Sequence, residues 1–200
     1  MTATPKLQRT LFRTSRLLDF CSRKELIAQT GHAPEDWSLV ALKELVDNAS
    51  DAAEDADIPP TVAVTVDEHG IAVSDNGPGI PPETIEGILD FSVRVSSREA
   101  YVSPTRGAQG NALKTILAMP FVLDDENREG HVEIIARGVR HHIGLQVDRL
   151  RGAPVLDHRV TEVGATVGTA VRICWPATVS ARSILQGAKS RFLQIADDYT

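Results

Sequence analysis

The chain has 200 residues, 42% of them hydrophobic, with a formal net charge of −6 at pH 7. That length suits one domain, or one domain with an appendage. The negative balance argues against a general electrostatic grip on nucleic acid, and an aromatic content of 4% argues against base-stacking platforms.

The N-terminal residues Met1-Thr2-Ala3-Thr4-Pro5 have no apolar signal core, and no run is long enough to span a membrane, so a cytoplasmic protein is expected. Residues 6–30 read as a helix with Leu17, Leu18, Cys21, Leu26 and Ile27 at its apolar positions and Gly31 as its stop. Cys21 and Cys174 fit no metal spacing and read as reduced thiols. A second helix is expected from about Pro34 to Ala56, ended by Ile58-Pro59-Pro60. Thr61–Val66 and Ile71–Ser74 read as a hairpin around Asp67-Glu68-His69-Gly70. A rigid loop, Asp75–Pro82, and a short helix near Glu83–Leu89 follow. Residues 92–108, with Arg94, Arg98 and Arg106, show no period and read as a mobile loop. Gln109–Leu117 reads as a helix. His131–Arg137, Val139–Val147, Val155–Val160 and Thr166–Ile173 read as consecutive antiparallel strands. His141 and His142 would then point to opposite faces, which argues against a shared metal. Ala181–Ile195 is a last amphipathic helix. This order predicts an α+β two-layer sandwich, a mixed and mostly antiparallel sheet with helices on one face.

Three segments break these patterns with polar chemistry. In Lys43–Ala52, Glu44, Asn48 and Asp51 fall at i, i+4 and i+7 and share a helix face, while Leu42, Leu45, Ala49 and Ala52 form an apolar stripe. Such a helix is commonly just solvated, but Asn is a poor mid-helix residue, so Asn48 suggests a task such as holding an ion. The second segment is Asp75-Asn76-Gly77-Pro78-Gly79-Ile80, directly after a strand. By itself it would be a tight turn; it is no dinucleotide fingerprint, because Pro82 stands at the third glycine position. The third is Arg106-Gly107-Ala108-Gln109-Gly110-Asn111-Ala112-Leu113-Lys114, glycines opening a helix. It fails as a Walker A loop, yet free N–H groups at a helix start suit phosphate.

Together the three segments resemble the N-box and two glycine boxes of the GHKL superfamily of ATPases, which share the Bergerat fold. Gly168-Thr169 fits that superfamily's late Gly-Thr element, so the match covers roughly residues 36–174. Within it the wording is most similar to topoisomerase VI B-like ATPase domains, departing at Asn111–Lys114, where a lysine is more like MORC proteins.

The resemblance implies a role for each residue. Asp75, supported by Thr169 and by the loop of Gly77, Gly79 and Ile80, would accept from the adenine amino group. Asn48 would hold Mg²⁺ against the phosphates of ATP, and Glu44 would act as general base. Asp51 would bond the lid or strand from the same helix face. Gly107, Gln109, Gly110, Asn111, Ala112 and Leu113 would line the triphosphate. Lys114 would contact its end or else lie exposed, and Arg94, Arg98 and Arg106 would belong to the lid.

The division implied is an N-terminal segment over 1–33 serving as a dimerisation arm, a nucleotide domain over 34–178, and a helix over 179–200 leading toward a transducer domain. The function implied is slow Mg²⁺-dependent ATP hydrolysis that drives lid closure or homodimerisation. It would serve a type IIB topoisomerase-like assembly with a DNA-cleaving subunit, touching DNA only indirectly. The alternatives are a protein kinase, which Glu44 disfavours, and a nucleotide-gated binding module of the MORC kind without strand passage.

Overall fold

The computed structural model describes residues 13–15, 17–94, 109–126, 129–148, 150–151 and 153–197. Strand β1 (Arg13–Ser15) and a 3-10 turn (Leu17–Phe20) lead into helix α1 (Arg23–Thr30). The single helix expected over residues 6–30 is therefore corrected: among the described residues, only its last third is α-helical. The reason is tertiary. Arg13–Ser15 pairs antiparallel with β4 (Ser92–Arg94), a distant partner that no local periodicity reveals. Helix α1 begins only where Ser22 Oγ can accept from Glu25 N, and it ends at Gly31, whose N–H donates to Ile27 O.

Helix α2 (Trp37–Asp55) follows a 3-10 turn at Pro34–Asp36. Strands β2 (Val62–Asp67) and β3 (Gly70–Asp75) form the expected hairpin, and α3 (Pro82–Leu89) follows the glycine loop. Helix α4 (Gln109–Leu123) runs past the expected end at Leu117 and carries Pro120 in its interior. Burial of Phe121, Val122 and Leu123 holds this last turn in place despite the lost hydrogen bond. Strands β5 (Glu129–Ala136), β6 (Val139–Asp148), β7 (Ala153–Glu162) and β8 (Thr169–Cys174) precede α5 (Val179–Asp197).

Six strands form one sheet in the order β2-β3-β8-β5-β6-β7. Every described pairing in it is antiparallel. The register aligns side chains in rows across the sheet. One row is Val66, Ile71, Ile173, Val132, Ile143 and His158; the next is Val64, Val73, Val171, Ile134, His141 and Val160. Their buried members pack with Leu42, Leu45 and Ala49 of α2, Ile85 of α3, and Ile116 and Met119 of α4. The opposite face carries Arg172, Glu133, Arg140 and His142, none of them fully buried. The result is the expected α+β sandwich: one sheet face covered by helices, the other polar.

The polar row members follow from this register. His141 and His142 point to opposite faces, as expected; His141 is 1% exposed and its ring stacks on His158, while His142 stacks on His131. Both cysteines are free thiols. Among the described residues no helix is long and apolar enough to cross a membrane.

Candidate functional site

A cavity of about 430 Å³ opens between the sheet and the helices. Helix α2 gives it Leu45, Asn48, Ala49, Asp51, Ala52 and Asp55, β3 gives Val73 and Asp75, and β8 gives Thr169 and Val171. Ile80, Thr84, Ile88 and Leu113 complete the lining. An apolar box with a few convergent polar groups is what a small planar ligand requires.

At one end the glycine loop is fixed by its own hydrogen bonds. Asp75 Oδ1 accepts from Gly77 N at 2.8 Å and from Thr169 N at 3.1 Å. Thr169 Oγ1 accepts from Ile80 N at 3.1 Å, which ties the loop to the start of β8. Both described contacts on Asp75 fall on Oδ1, which leaves Oδ2 with no described hydrogen bond. The packing needs glycine at two points. A Cβ on Gly79, at φ +76°, would stand 2.9 Å from Gly168 O, and one on Gly168, at φ +67°, would stand 1.8 Å from Asp75 O. Asn76 staples the loop from outside, accepting from Thr61 N at 2.9 Å and donating to Pro59 O at 3.0 Å.

Along α2 the polar face expected from the sequence is present. Asn48 and Asp51 line the cavity, while Glu44 sits one turn before Asn48, half-buried, outside the lining. Burial pushes the Glu44 carboxyl above its ordinary range, the Asp47 charge adds to this, and Lys43 opposes it. Asp47 itself pairs with Lys43. Asn48 Nδ2 is buried with no partner among the described residues. Its Oδ1 takes part in no described hydrogen bond, so the side chain can offer that oxygen to a cation from the cavity lining. A neutral amide oxygen is a hard donor of the kind Mg²⁺ accepts alongside water and phosphate. No cluster of three His, Cys, Asp or Glu suited to a metal occurs among the described residues.

At the other end α4 begins at Gln109 and continues through Gly110, Asn111 and Ala112. Leu113 reaches the cavity. Lys114 Nζ donates to Asp90 O at 2.9 Å and lies 5.2 Å from the centre of the Phe91 ring. A phosphate contact therefore requires it to leave these partners. Arg98, Arg106 and Gly107 lie outside the described residues, and Arg94 closes β4.

Sequence reasoning missed Arg137, in the turn between β5 and β6. Its Nε donates to Gly79 O at 2.9 Å and to Pro78 O at 3.3 Å. Arg137-Gly138 between alternating strands signals a tight hairpin, but no local pattern says where the side chain reaches. Ile88 and Thr84 were also missed; only the apolar stripe of α3 hinted at the former.

The family model described as histidine kinase-, DNA gyrase B-, and HSP90-like ATPase matches residues 35–178. The chain belongs to this family. The GHKL resemblance read from the three boxes is thus borne out, and the family supports ATPase activity in general. Among curated proteins, this GHKL domain is 32% identical over 127 residues to the B subunit of type 2 DNA topoisomerase 6 from Natronomonas pharaonis, covering 60% of this chain and 15% of that one. It is 43% identical over 81 residues to the corresponding protein from Archaeoglobus fulgidus, covering 38% of this chain and 13% of that one. The matched part thus spans less than a fifth of those two relatives. Among solved structures it resembles the 43K ATPase domain of Thermus thermophilus gyrase B at 24% identity and TM-score 0.38, covering 70% of this chain and 34% of that one. It also resembles the Aquifex aeolicus MutL ATPase domain complexed with ADP at 22% identity and TM-score 0.42, covering 78% and 52%.

Proposed function

We propose that this domain binds ATP with Mg²⁺ and hydrolyses it slowly. The observation that carries the reading is the Asp75 carboxylate: one oxygen is fixed by two backbone N–H groups, at the edge of an apolar box roomy enough for a nucleobase. A carboxylate accepts from the adenine amino group and is repelled by the guanine carbonyl at the same edge, so it selects adenine. The Thr169 hydroxyl, already accepting from Ile80 N, keeps its proton to donate toward a bridging water.

Magnesium, when bound through Asn48, would neutralise charge on the triphosphate. Glu44 is the general base: it would take the proton of the attacking water at a carboxylate oxygen. Its raised proton affinity suits that task. The N–H groups at the start of α4, from Gln109 to Asn111, would receive phosphate, with Gly107 preceding them and Ala112, Leu113 and Lys114 following. Asp51 would bond the lid from the α2 face.

The named relatives support a finer reading. The nucleotide state would drive lid closure or homodimerisation through residues 1–33, within a cytoplasmic type IIB topoisomerase-like assembly that includes a DNA-cleaving subunit. Residues 34–178 would form the nucleotide domain and 179–200 the lead to a transducer.

The test is a calorimetric titration of Mg²⁺–ATP into the folded chain, beside phosphate release. The parent takes up ATP, Asp75→Ala does not, and Glu44→Gln binds ATP while releasing phosphate about 10²–10⁴-fold more slowly. No uptake by folded parent protein overturns the proposal. Binding without turnover in the parent would leave a nucleotide-gated module. Sizing in ADP against a non-hydrolysable ATP analogue reads the dimerisation part, which an unchanged mass refutes.

A further inference from the structure

The β5–β6 hairpin turns through Arg137 and Gly138, at φ +52° and +77°. Such two-residue turns favour Asn, Asp or Gly at their first position, so an arginine there holds backbone strain that a small polar residue would not. The turn is held from one side: Gly138 N donates to Thr166 Oγ1 at 2.9 Å, and Val163 N donates to Gly138 O at 2.9 Å. From the other side the arginine reaches across to the glycine loop. Its Nε bonds Gly79 O and Pro78 O, and its Cγ stands 3.1 Å from where a Cβ on Gly79 would be. Nothing in the turn itself uses a guanidinium. Strain kept at a turn for the sake of a contact to another loop points to a task in that loop.

We propose that Arg137 is a positioning residue for the purine end of the cavity. It holds the Pro78 and Gly79 carbonyls on the outer side of the loop. The N–H groups on the inner side, Gly77 N and Ile80 N, then stay on Asp75 Oδ1 and Thr169 Oγ1. The inference rests on the reading of Asp75 as the adenine acceptor. Arg137 acts through the loop and leaves the phosphate end of the site alone.

The experiment compares the parent with Arg137→Asn and Arg137→Lys. Asparagine tolerates the turn conformation but cannot reach Gly79 O; lysine reaches with a single ammonium. Arg137→Asn should melt no lower than the parent. It should bind ATP about tenfold more weakly, the equivalent of one charge-assisted hydrogen bond, with KM raised and kcat unchanged. Inorganic tripolyphosphate should bind parent and variant alike, and Arg137→Lys should recover part of the ATP affinity. Without nucleotide, the amides of Gly77 and Ile80 should exchange hydrogen faster in Arg137→Asn. Unchanged exchange at those amides overturns the proposal, as does an equal loss for ATP and tripolyphosphate or a loss that lysine does not relieve. If the parent takes up no ATP, the nucleotide reading fails separately, and the amide exchange still decides whether Arg137 clasps the loop.

Discussion

Replacing Gly168 by alanine tests the close approach on which the site depends. The added methyl would lie 1.8 Å from Asp75 O, 2.6 Å from its carbonyl carbon and 2.8 Å from Asp75 Oδ1. An ordinary carbon–oxygen contact is about 3.3 Å, so the strand must shift by roughly 1.5 Å. No rotamer change relieves this, because the nearest atoms are backbone. Gly164 is the matched control: it also has positive φ, at +84°, but a Cβ there meets nothing within 4 Å. Alanine in this conformation costs about 1–2 kcal/mol at either position. The overlap at Gly168 adds at least about 1–3 kcal/mol more. For a chain of this size each kcal/mol moves the melting temperature by about 2–4 °C. Thermal melts of Gly164→Ala and Gly168→Ala should therefore differ by several degrees. Calorimetry should find ATP affinity lost in Gly168→Ala and kept in Gly164→Ala, because only the first displaces Asp75 from Gly77 N and Thr169 N. Equal melting and equal ATP affinity in the two variants would refute the packing argument.

Further outcomes follow from the same geometry at Glu44, Thr169 and His141. Because the Glu44 carboxyl binds its proton more tightly in the fold than its ordinary value of 4.5, phosphate release should rise with pH through that raised value, and Glu44→Gln should flatten the limb. The stability Glu44 lends below its unfolded value is lost as pH rises through the folded one, so Glu44→Gln should melt no lower than the parent at neutral pH. Thr169→Val, at a residue only 5% exposed, removes the acceptor of the half-buried Ile80 N, which should cost about 1–3 kcal/mol in urea unfolding and weaken ATP binding. Burial lowers the His141 pKa, helped by His158 and opposed by Glu86, so the folded chain keeps this ring neutral while the unfolded chain takes a proton below 6.5. Stability should therefore fall as pH drops through 6.5 toward the folded value; His141→Phe should remove that slope, and an unchanged slope would show that other groups carry it.

The parts whose cause is local were legible in the chain before it folded. Spacing placed Glu44, Asn48 and Asp51 on one face of α2, turn residues set the β2–β3 hairpin, and the glycine boxes marked the cavity rim and the family. Alternation in residues 131–173 was enough for four antiparallel strands, since a half-buried sheet repeats every two residues. Whatever depends on a partner distant in the chain was settled by the tertiary fold. Arg13–Ser15 is a strand only because Ser92–Arg94 lies beside it, and α4 passes Pro120 only because Phe121 and Leu123 are buried. The order β2-β3-β8-β5-β6-β7 brings Thr169 next to Asp75 and the β5–β6 turn over Gly79. It also buries the His141 ring and stacks it on His158. Local patterns carry the backbone's own preferences; a carboxylate held by two amides and an arginine clasping a loop are meetings through space, which exist only once the sheet has closed.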